Sequence, residues 1–323
     1  MSLLALADVF VARRRIRDFV RRTPLVRSDW LSAATGANVH LKLESLQITG
    51  SFKARGAFNA GLALIERTGA PRPPVVTASA GNHGRALAYA ADQLGLPLTV
   101  FVPRNAPRSK IDAIRHHGAV LQSDAKDYDH AERAAKALAA RTGATFISPY
   151  SHPDVIAGAG TVALEILEDL PGVDLLIVPV GGGGLISGAA VAARAISPHG
   201  EVAGVEVEAS PVFCTSLRAG RLIEIEVGPS LADGLVGNAD PETLTFAYIQ
   251  QLVSRIALVG EDDLQTAIRG LAAFEHLIVE GAGAVGVAAL ASRRLEVRGR
   301  TVAVVVSGAN IDLGSLSDVL GLS

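Results

Sequence analysis

Short apolar segments alternate with amphipathic segments along most of the chain. Helical spacing of apolar residues follows each apolar run, and glycine or proline marks most of the turns. Strands that are apolar on both faces and alternate with helices predict parallel sheets covered by helices on both sides. The apolar runs that predict strands are Val75-Val76, 96–103, 118–122 and 144–148, and the alternation returns in 173–196, 200–208 and 300–310.

This alternation predicts an α/β protein built from doubly wound, three-layer domains with mostly parallel sheets. A chain of 323 residues suggests about two domains. The segments 67–75 and 148–155 are the richest in turn-forming residues, which predicts domain junctions there. We therefore expect residues 75–148 to form a small α/β domain inserted into a larger one, which comprises residues 1–66 and 149–323.

Composition excludes several classes of function. A net charge of −2 gives no electrostatic reason to expect nucleic acid or a membrane surface as partner, and the arginine cluster of residues 13–22 is interpreted as a solvated helix face. The single cysteine, Cys214, excludes an internal disulfide framework. No run approaches 18 apolar residues, and the first ten residues lack the cationic start of a signal peptide. We expect a cytoplasmic protein.

Four consecutive glycines follow the apolar run 175–180 and precede a helical segment. Backbone amides of such a turn can approach an anion closely, and the helix N-terminus favours negative charge. The spacing fits neither a dinucleotide-binding loop, whose sixth position here is Ile186 or Ser187, nor a Walker loop, because no Lys-Ser or Lys-Thr follows. The loop favours a phosphate monoester, with a ligand-free turn as the alternative.

Two further predicted strands end in polar turns. "TASAGNHGRALA" (77–88) places polar donors at a helix start, which suits a carboxylate or simply caps the helix. "VVVSGANIDLG" (304–314) places Ser307 and Asn310 in a turn. Ligands of open α/β sheets bind outside the carboxyl ends of the strands, so we expect these turns and the glycine loop to converge.

Lys53 lies in "TGSFKARGA" (49–57), between apolar and small residues, in a chain with 5 lysines and 25 arginines. Arginine keeps its proton in proteins, whereas a desolvated lysine can lose it and become a nucleophile. A lysine, a phosphate-binding loop and a partner for a pyridine nitrogen are the parts that hold pyridoxal phosphate.

The motifs "SFKARGA", "SAGNHG", "GGGGL" and "SGAN" occur in an order and spacing that resembles the fold-type II pyridoxal-phosphate enzymes, which have the tryptophan synthase β-like fold. The chain is most similar to the serine/threonine dehydratase group, which includes serine racemase. The resemblance extends to "TPL" (23–25), "HPDVIAGAGT" (152–161), "SLADGL" (230–235) and "IVEGAGAVGVAAL" (278–290), and so covers nearly the whole chain. It implies a homodimer or a higher homo-oligomer.

The resemblance implies a role for each matching residue. Lys53 would form the Schiff base with the cofactor and then act as the base at Cα. The other cofactor contacts would be Phe52 beside the ring, Asn82 at the ring oxygen, Gly181, Gly182, Gly183, Gly184 and Leu185 at the phosphate, Ser307 at the pyridine nitrogen, and Gly234 and Glu280 in the pocket wall. The substrate carboxylate would be received by Ser79, Ala80, Gly81, Asn82 and His83.

The implied reaction is β-elimination, in which a small β-hydroxy amino acid such as L-threonine or L-serine gives a 2-oxo acid and ammonia. Ala80 stands where racemising relatives carry a hydroxyl, and an alanine methyl cannot supply a proton. Ala54 stands where sulfur-transferring enzymes and threonine synthases of this fold place an aspartate. The alternatives are another substrate, such as 3-hydroxyaspartate or a hydroxyectoine-derived amino acid, a serine racemase-like enzyme, and a non-catalytic amino-acid or cofactor-binding module.

Metal-dependent relatives bind a cation near the segment that matches "VEVEASPV" (205–212). Glu206 matches the first ligand, but Val212 stands where a second carboxylate is expected. The resemblance therefore gives only weak support for a divalent or monovalent cation at Glu206. Because the chain ends nine residues after Gly314, we also expect no C-terminal regulatory domain.

Overall fold

The computed structural model describes residues 3–322, which form two sheets covered by helices. The strands are β1 (Leu25–Arg27), β2 (Asn38–Leu43), β3 (Val75–Ala78), β4 (Leu98–Pro103), β5 (Val120–Ala125), β6 (Thr145–Phe146), β7 (Leu175–Pro179), β8 (Glu201–Val207), β9 (Arg255–Val259) and β10 (Thr301–Val306). The helices are α1 (Leu6–Ile16), α2 (Asp29–Thr35), α3 (Lys53–Thr68), α4 (Asn82–Leu94), α5 (Arg108–Arg115), α6 (Tyr128–Thr142), α7 (Pro153–Asp169), α8 (Gly184–Ile196), α9 (Val212–Ala219), α10 (Thr245–Leu252), α11 (Glu261–Phe274), α12 (Gly281–Ala291) and α13 (Leu313–Leu320).

The larger sheet has the strand order β1-β2-β10-β7-β8-β9, and the smaller sheet has the order β5-β4-β3-β6. Strand β1 pairs with β2 in the antiparallel direction, and the other pairings in both sheets are parallel. The predicted α/β class with mostly parallel sheets is therefore confirmed. The boundaries proposed for the two domains stay a prediction.

Burial follows the position of each strand in its sheet. All of β7 is buried, as is β10 after Thr301, because both strands lie in the middle of the larger sheet with helices on both faces. Strand β5 differs, since exposed and partly buried residues alternate along most of it and Val120 is exposed. It forms an edge of the smaller sheet, where the expectation of a strand buried on both faces is wrong.

Helix α3, which begins at Lys53, packs closely against α7. A Cβ atom on Gly158 would lie 2.5 Å from the carbonyl oxygen of Arg55, so only glycine allows the two helices to approach this far. Gly160 has the same function where α7 crosses α8, because a Cβ there would lie 2.7 Å from the carbonyl oxygen of Gly188. The start of α3 is therefore fixed by backbone contact.

A network of four buried charged side chains joins α3 to the end of β2 and to α7. The Arg55 guanidinium binds both carboxylate oxygens of Glu44, through Nε and Nη2 at 2.8 Å each, and donates to Glu165 at 2.7 Å. The Lys42 ammonium donates to Glu165 at 2.6 Å. Two cations and two carboxylates thus balance one another in the interior.

Among the helices that residues 3–322 form, none combines the length and the apolar character that a membrane-spanning helix needs.

Candidate active site

The loop that precedes Lys53 is attached to the carboxyl end of β10. The backbone N–H of Phe52 donates to the carbonyl oxygen of Ser307 at 3.1 Å, and the N–H of Ala309 donates to that of Gly50 at 2.9 Å. An antiparallel bridge between Ser51 and Gly308 lies between these bonds. Lys53 therefore begins α3 beside the turn that contains Ser307.

The Lys53 amine is held in an environment that disfavours its charge. Its Nζ donates to the carbonyl oxygen of Pro149 at 2.9 Å and lies 5.1 Å from the centre of the Phe52 ring. Burial lowers the pKa of Lys53 to about 8, although the charge of Glu280 acts in the opposite direction. A substantial fraction of this amine is therefore neutral, and available as a nucleophile or base, near pH 8.

The glycine loop forms a cradle between β7 and α8. Gly183 precedes the first residue of α8 with φ of 84°, and Leu185 is buried in the first turn. A Cβ on Gly182 would overlap the ring of Tyr150, and one on Gly184 would lie 2.9 Å from the carbonyl oxygen of Tyr150. Glycine is needed at both positions because Tyr150 packs against the loop. No side chain caps the start of α8, so its first N–H groups can receive an anion such as phosphate.

Residues Gly181 and Gly234 lie together at the rim of this cradle. A Cβ on Gly181 would lie 3.1 Å from the carbonyl oxygen of Gly234. Gly234 is an exposed residue of a short 3-10 helix, Asp233–Leu235. The hydroxyl of Thr245 donates to the carbonyl oxygen of Gly182 at 2.9 Å and fixes the opposite side of the loop. The structure therefore brings the predicted residue Gly234 to the glycine loop.

The turn between β3 and α4 presents backbone N–H groups. Gly81 precedes α4, and no side chain caps the helix start. The hydroxyl of Ser79 accepts a hydrogen bond from the N–H of Gly81 at 3.2 Å, and Ala80 is partly buried beside it. His83 is buried, and burial together with the nearby charge of Lys53 places its pKa well below the usual value. The uncapped N–H groups can receive a carboxylate.

Glu280 and Ser307 close the site from the side of α12. The Glu280 carboxylate accepts a hydrogen bond from Asn82 Nδ2 at 2.6 Å, and burial raises the pKa of Glu280 to about 7. The Ser307 hydroxyl is buried and donates to the carbonyl oxygen of Ala282 at a long 3.4 Å. Asn82, Glu280, Ser307 and Lys53 thus belong to one group of side chains.

Three residues of this site were not assigned roles from the sequence. Asn310 donates to Asn82 and accepts from Arg85, and Tyr150 lies against the glycine loop. Asn310 belongs to the "SGAN" motif, and Arg85 follows Asn82 by three residues, so both lie near known motifs. Tyr150 lies in a predicted domain junction and gave no comparable signal.

Glu206 has a different environment. It lies on β8, and its two carboxylate oxygens accept hydrogen bonds from the N–H groups of Phe213 and Cys214, both at 2.8 Å, in the first turn of α9. Burial raises the pKa of Glu206 to about 7. Among residues 3–322, no group of three or more histidine, cysteine, aspartate or glutamate side chains could hold a metal ion. The cation at Glu206 stays a prediction.

Comparison with known proteins gives consistent relatives. A family model described as pyridoxal-phosphate dependent enzyme matches residues 16–308. The chain is 44% identical over 320 residues to an L-threonine ammonia-lyase of Thermotoga maritima, a match that covers 98% of this chain and 78% of that protein. It is 38% identical to an L-threo-3-hydroxyaspartate ammonia-lyase of a Pseudomonas species, with 99% of each chain covered.

Solved structures resemble the fold over the same length. Maize serine racemase superposes with a TM-score of 0.92 at 33% identity, covering 99% of this chain and 98% of that chain. A threonine deaminase from T.th. superposes with a TM-score of 0.87 at 37% identity, covering 96% of this chain and 99% of that chain. The similarity therefore includes both sheets and the loops between them.

Proposed function

The chain belongs to the family of pyridoxal-phosphate-dependent enzymes, and we propose that within this family it is an ammonia-lyase. Its substrate in this proposal is a small β-hydroxy amino acid such as L-threonine or L-serine. Elimination of water leaves an enamine, and hydrolysis of the enamine takes up one water and releases ammonia, so that the net products are a 2-oxo acid and ammonia. The observation that carries the proposal is Lys53, whose pKa of about 8 makes it a base and whose Nζ donates to the carbonyl oxygen of Pro149, next to the Tyr150 that packs on the glycine cradle. Relatives named L-threonine ammonia-lyase or L-threonine dehydratase, at 36–44% identity, support the same reaction.

The cofactor fits the site because no side chain caps the start of α8, which leaves the N–H groups of the glycine cradle free for a phosphate. In this proposal Asn82 contacts the ring oxygen, Phe52 packs beside the ring and Ser307 faces the pyridine nitrogen, while Gly234 and Glu280 form part of the wall. The phosphate is held by Gly181, Gly182, Gly183, Gly184 and Leu185. Bound there, pyridoxal phosphate supplies an electron-withdrawing ring joined to the amino nitrogen of the substrate.

Lys53 performs the proton transfer at Cα. With a pKa of about 8, it is partly neutral near that pH and can accept a proton without a second base. Ser307 offers a hydroxyl to the pyridine nitrogen and cannot fix a positive charge there as an aspartate does. Electron withdrawal by the ring stays moderate, which favours elimination, in which the β-hydroxyl leaves promptly.

The start of α4 binds the substrate carboxylate. The N–H groups of Asn82 and His83 provide the positive end of the helix, with Ser79, Ala80 and Gly81 in the preceding turn. The contact of His83 is made through its backbone N–H, because its imidazole is buried and uncharged. The substrate is thereby oriented with Cα facing Lys53.

Ala80 distinguishes elimination from racemisation in this proposal. Racemisation needs a proton donor on the face opposite Lys53, and the methyl group of Ala80 cannot donate. The similarity to an L-threo-3-hydroxyaspartate ammonia-lyase keeps a β-hydroxy acid with a second carboxylate as the alternative substrate. We also propose a homodimer or a higher homo-oligomer.

The test is release of ammonia and of a 2-oxo acid from a panel of β-hydroxy amino acids that includes threonine, serine and 3-hydroxyaspartate. We expect activity with at least one of them, loss of activity in Lys53→Ala, and retention in the exposed control Lys126→Ala. If the purified, cofactor-loaded chain released no 2-oxo acid from any of them, the proposal would be wrong. Racemisation of serine without elimination would contradict the interpretation of Ala80.

A further inference from the structure

Beside the proposed cofactor site, a hydrogen-bonded chain of side chains runs from Arg85 to Glu280 and has a single direction. Arg85 Nη1 donates to Asn310 Oδ1, Asn310 Nδ2 donates to Asn82 Oδ1, and Asn82 Nδ2 donates to Glu280, each at 2.6 Å. We propose that Asn310 is a positioning residue, which fixes the amide of Asn82 with its amino group towards the cofactor. The inference rests on the proposed function, since the partner of Asn82 is the cofactor ring oxygen.

The orientation of Asn310 is set by two partners of fixed polarity. A guanidinium only donates hydrogen bonds, so Arg85 requires the oxygen of the Asn310 amide. A backbone carbonyl only accepts, and the Thr49 oxygen lies 2.9 Å from Asn310 Nδ2. The reversed amide would place nitrogen against the guanidinium and oxygen against the carbonyl. Asn310 therefore has one acceptable orientation.

Asn310 passes this orientation to Asn82. Its amino group donates to Asn82 Oδ1, which leaves the amino group of Asn82 to face the carboxylate of Glu280. An asparagine amide has nearly the same shape in both orientations, so shape alone does not select one. In the reversed orientation, Asn82 would present its oxygen to Glu280 and could not donate to the cofactor ring oxygen.

Asn310 is also wedged against the loop that carries Lys53. A Cβ on Gly50 would lie 2.7 Å from Asn310 Oδ1, so there is no space for a side chain at this position. Gly50 also adopts φ of 74°, a backbone conformation that favours glycine. One side chain thus contacts both the lysine loop and Asn82. Its position couples the loop that carries Lys53 to the amide of Asn82.

The test is the variant Asn310→Asp, which keeps the shape of the side chain and replaces its donor by an acceptor. Asn82 then has to reverse in order to donate to the new carboxylate, and its oxygen faces Glu280. A second change, Glu280→Gln, supplies a donor for that oxygen. We measure the melting temperature of all four chains of this cycle with and without pyridoxal phosphate, together with the dissociation constant of the cofactor.

A directional chain predicts different results for the two measurements. Without cofactor, the two substitutions have non-additive effects on the melting temperature. The change in melting temperature that Glu280→Gln causes is more favourable in the Asn310→Asp chain than in the parent chain by about 3 °C or more. The cofactor dissociation constant rises about 10-fold or more in Asn310→Asp. It is not restored in the double variant, because Asn82 stays reversed there.

Asn59 provides a matched control outside the site. It also accepts from an arginine, Arg15 at 2.8 Å, and donates to a backbone carbonyl, that of Asp154 at 2.7 Å. Asn59→Asp is expected to lower the melting temperature, to be additive with Glu280→Gln, and to leave the cofactor dissociation constant within about 2-fold of the parent chain.

Two outcomes overturn the inference. Additive melting temperatures in the cycle of Asn310 and Glu280 would show that the chain has no direction. Unchanged cofactor affinity in Asn310→Asp would show that Asn82 does not need its orientation. Failure of the proposed function gives a different result. A parent chain that binds no pyridoxal phosphate would refute the proposed function, whereas the melting temperatures measured without cofactor would still test the direction of the hydrogen-bonded chain.

Discussion

The buried network around Arg55 gives a prediction that can be worked through quantitatively. Arg55→Met keeps the length of the side chain but removes its charge and its hydrogen bonds to Glu44 and Glu165. Arg55 is 1% exposed and Glu44 is fully buried, so water cannot replace the lost contacts. Breaking a buried ion pair by removing one partner costs about 3–5 kcal/mol, and we expect a loss of that size in the free energy of unfolding at pH 8.

The pH dependence of this loss has a definite sign. Burial raises the pKa of Glu165, but the hydrogen bond and charge of Arg55, with those of Lys42, outweigh burial and hold it below its usual value. A lowered pKa contributes stability above the unfolded pKa that is lost as the pH falls through the folded pKa. Without Arg55 the pKa of Glu165 rises, so protonation at lower pH relieves the variant. The deficit should shrink by about 1 kcal/mol between pH 8 and pH 5.

The assay is urea unfolding of the parent chain, Arg55→Met and Arg55→Lys at both pH values. Arg55→Lys keeps the charge without the forked geometry, so we expect a smaller loss of about 1–3 kcal/mol. A deficit of Arg55→Met below about 1 kcal/mol at pH 8 would refute the reasoning, because it is the value typical of an exposed pair. A deficit that grows towards pH 5 would contradict the sign.

Three further predictions concern the site and Glu206. Gly182→Ala should weaken cofactor binding about 10-fold or more, because the added methyl group overlaps the Tyr150 ring. Gly172→Ala is the control, since its methyl group faces open space and should leave cofactor binding unchanged. Fluorescence titration with the cofactor measures both. Glu280→Gln removes a charge that raises the pKa of Lys53, so the pH midpoint for covalent capture of the cofactor should fall below 8; an unchanged midpoint would contradict the coupling. The pKa of Glu206 is raised from 4.5 to about 7, so the folded state binds a proton more tightly than the unfolded state does, and the free energy of unfolding falls as the pH rises from about 4.5 to 7. Glu206→Leu should remove this pH dependence, as urea unfolding at several pH values in that range would show.

The sequence was sufficient for the fold class, and the assignment of the site residues stays a prediction. Apolar runs bounded by glycine predicted the parallel strands, and their shared direction predicted that the turns after β3, β7 and β10 would converge. These inferences rest on local patterns and on one general rule of sheet topology. The exposed face of β5 was missed because its position at a sheet edge depends on strand order.

The features that the sequence did not predict depend on contacts between distant residues. Arg55 and Glu165 are far apart along the chain, and nothing local shows that both are buried and paired. The direction of the Asn82 amide is set by Asn310, 228 residues away. Tyr150, which follows β6 in the chain, lies against Gly182 and Gly184 of the loop after β7. Such pairings require the tertiary structure.

The measurement that tests the central claim most directly is the visible absorption spectrum of the purified chain with added pyridoxal phosphate, after unbound cofactor has been removed by dialysis. We predict a visible band from protein-bound cofactor that is retained in the exposed-lysine control Lys126→Ala and absent in Lys53→Ala. A chain that shows no such band, or a band that persists unchanged in Lys53→Ala, would contradict the assignment of Lys53 as the residue that holds the cofactor.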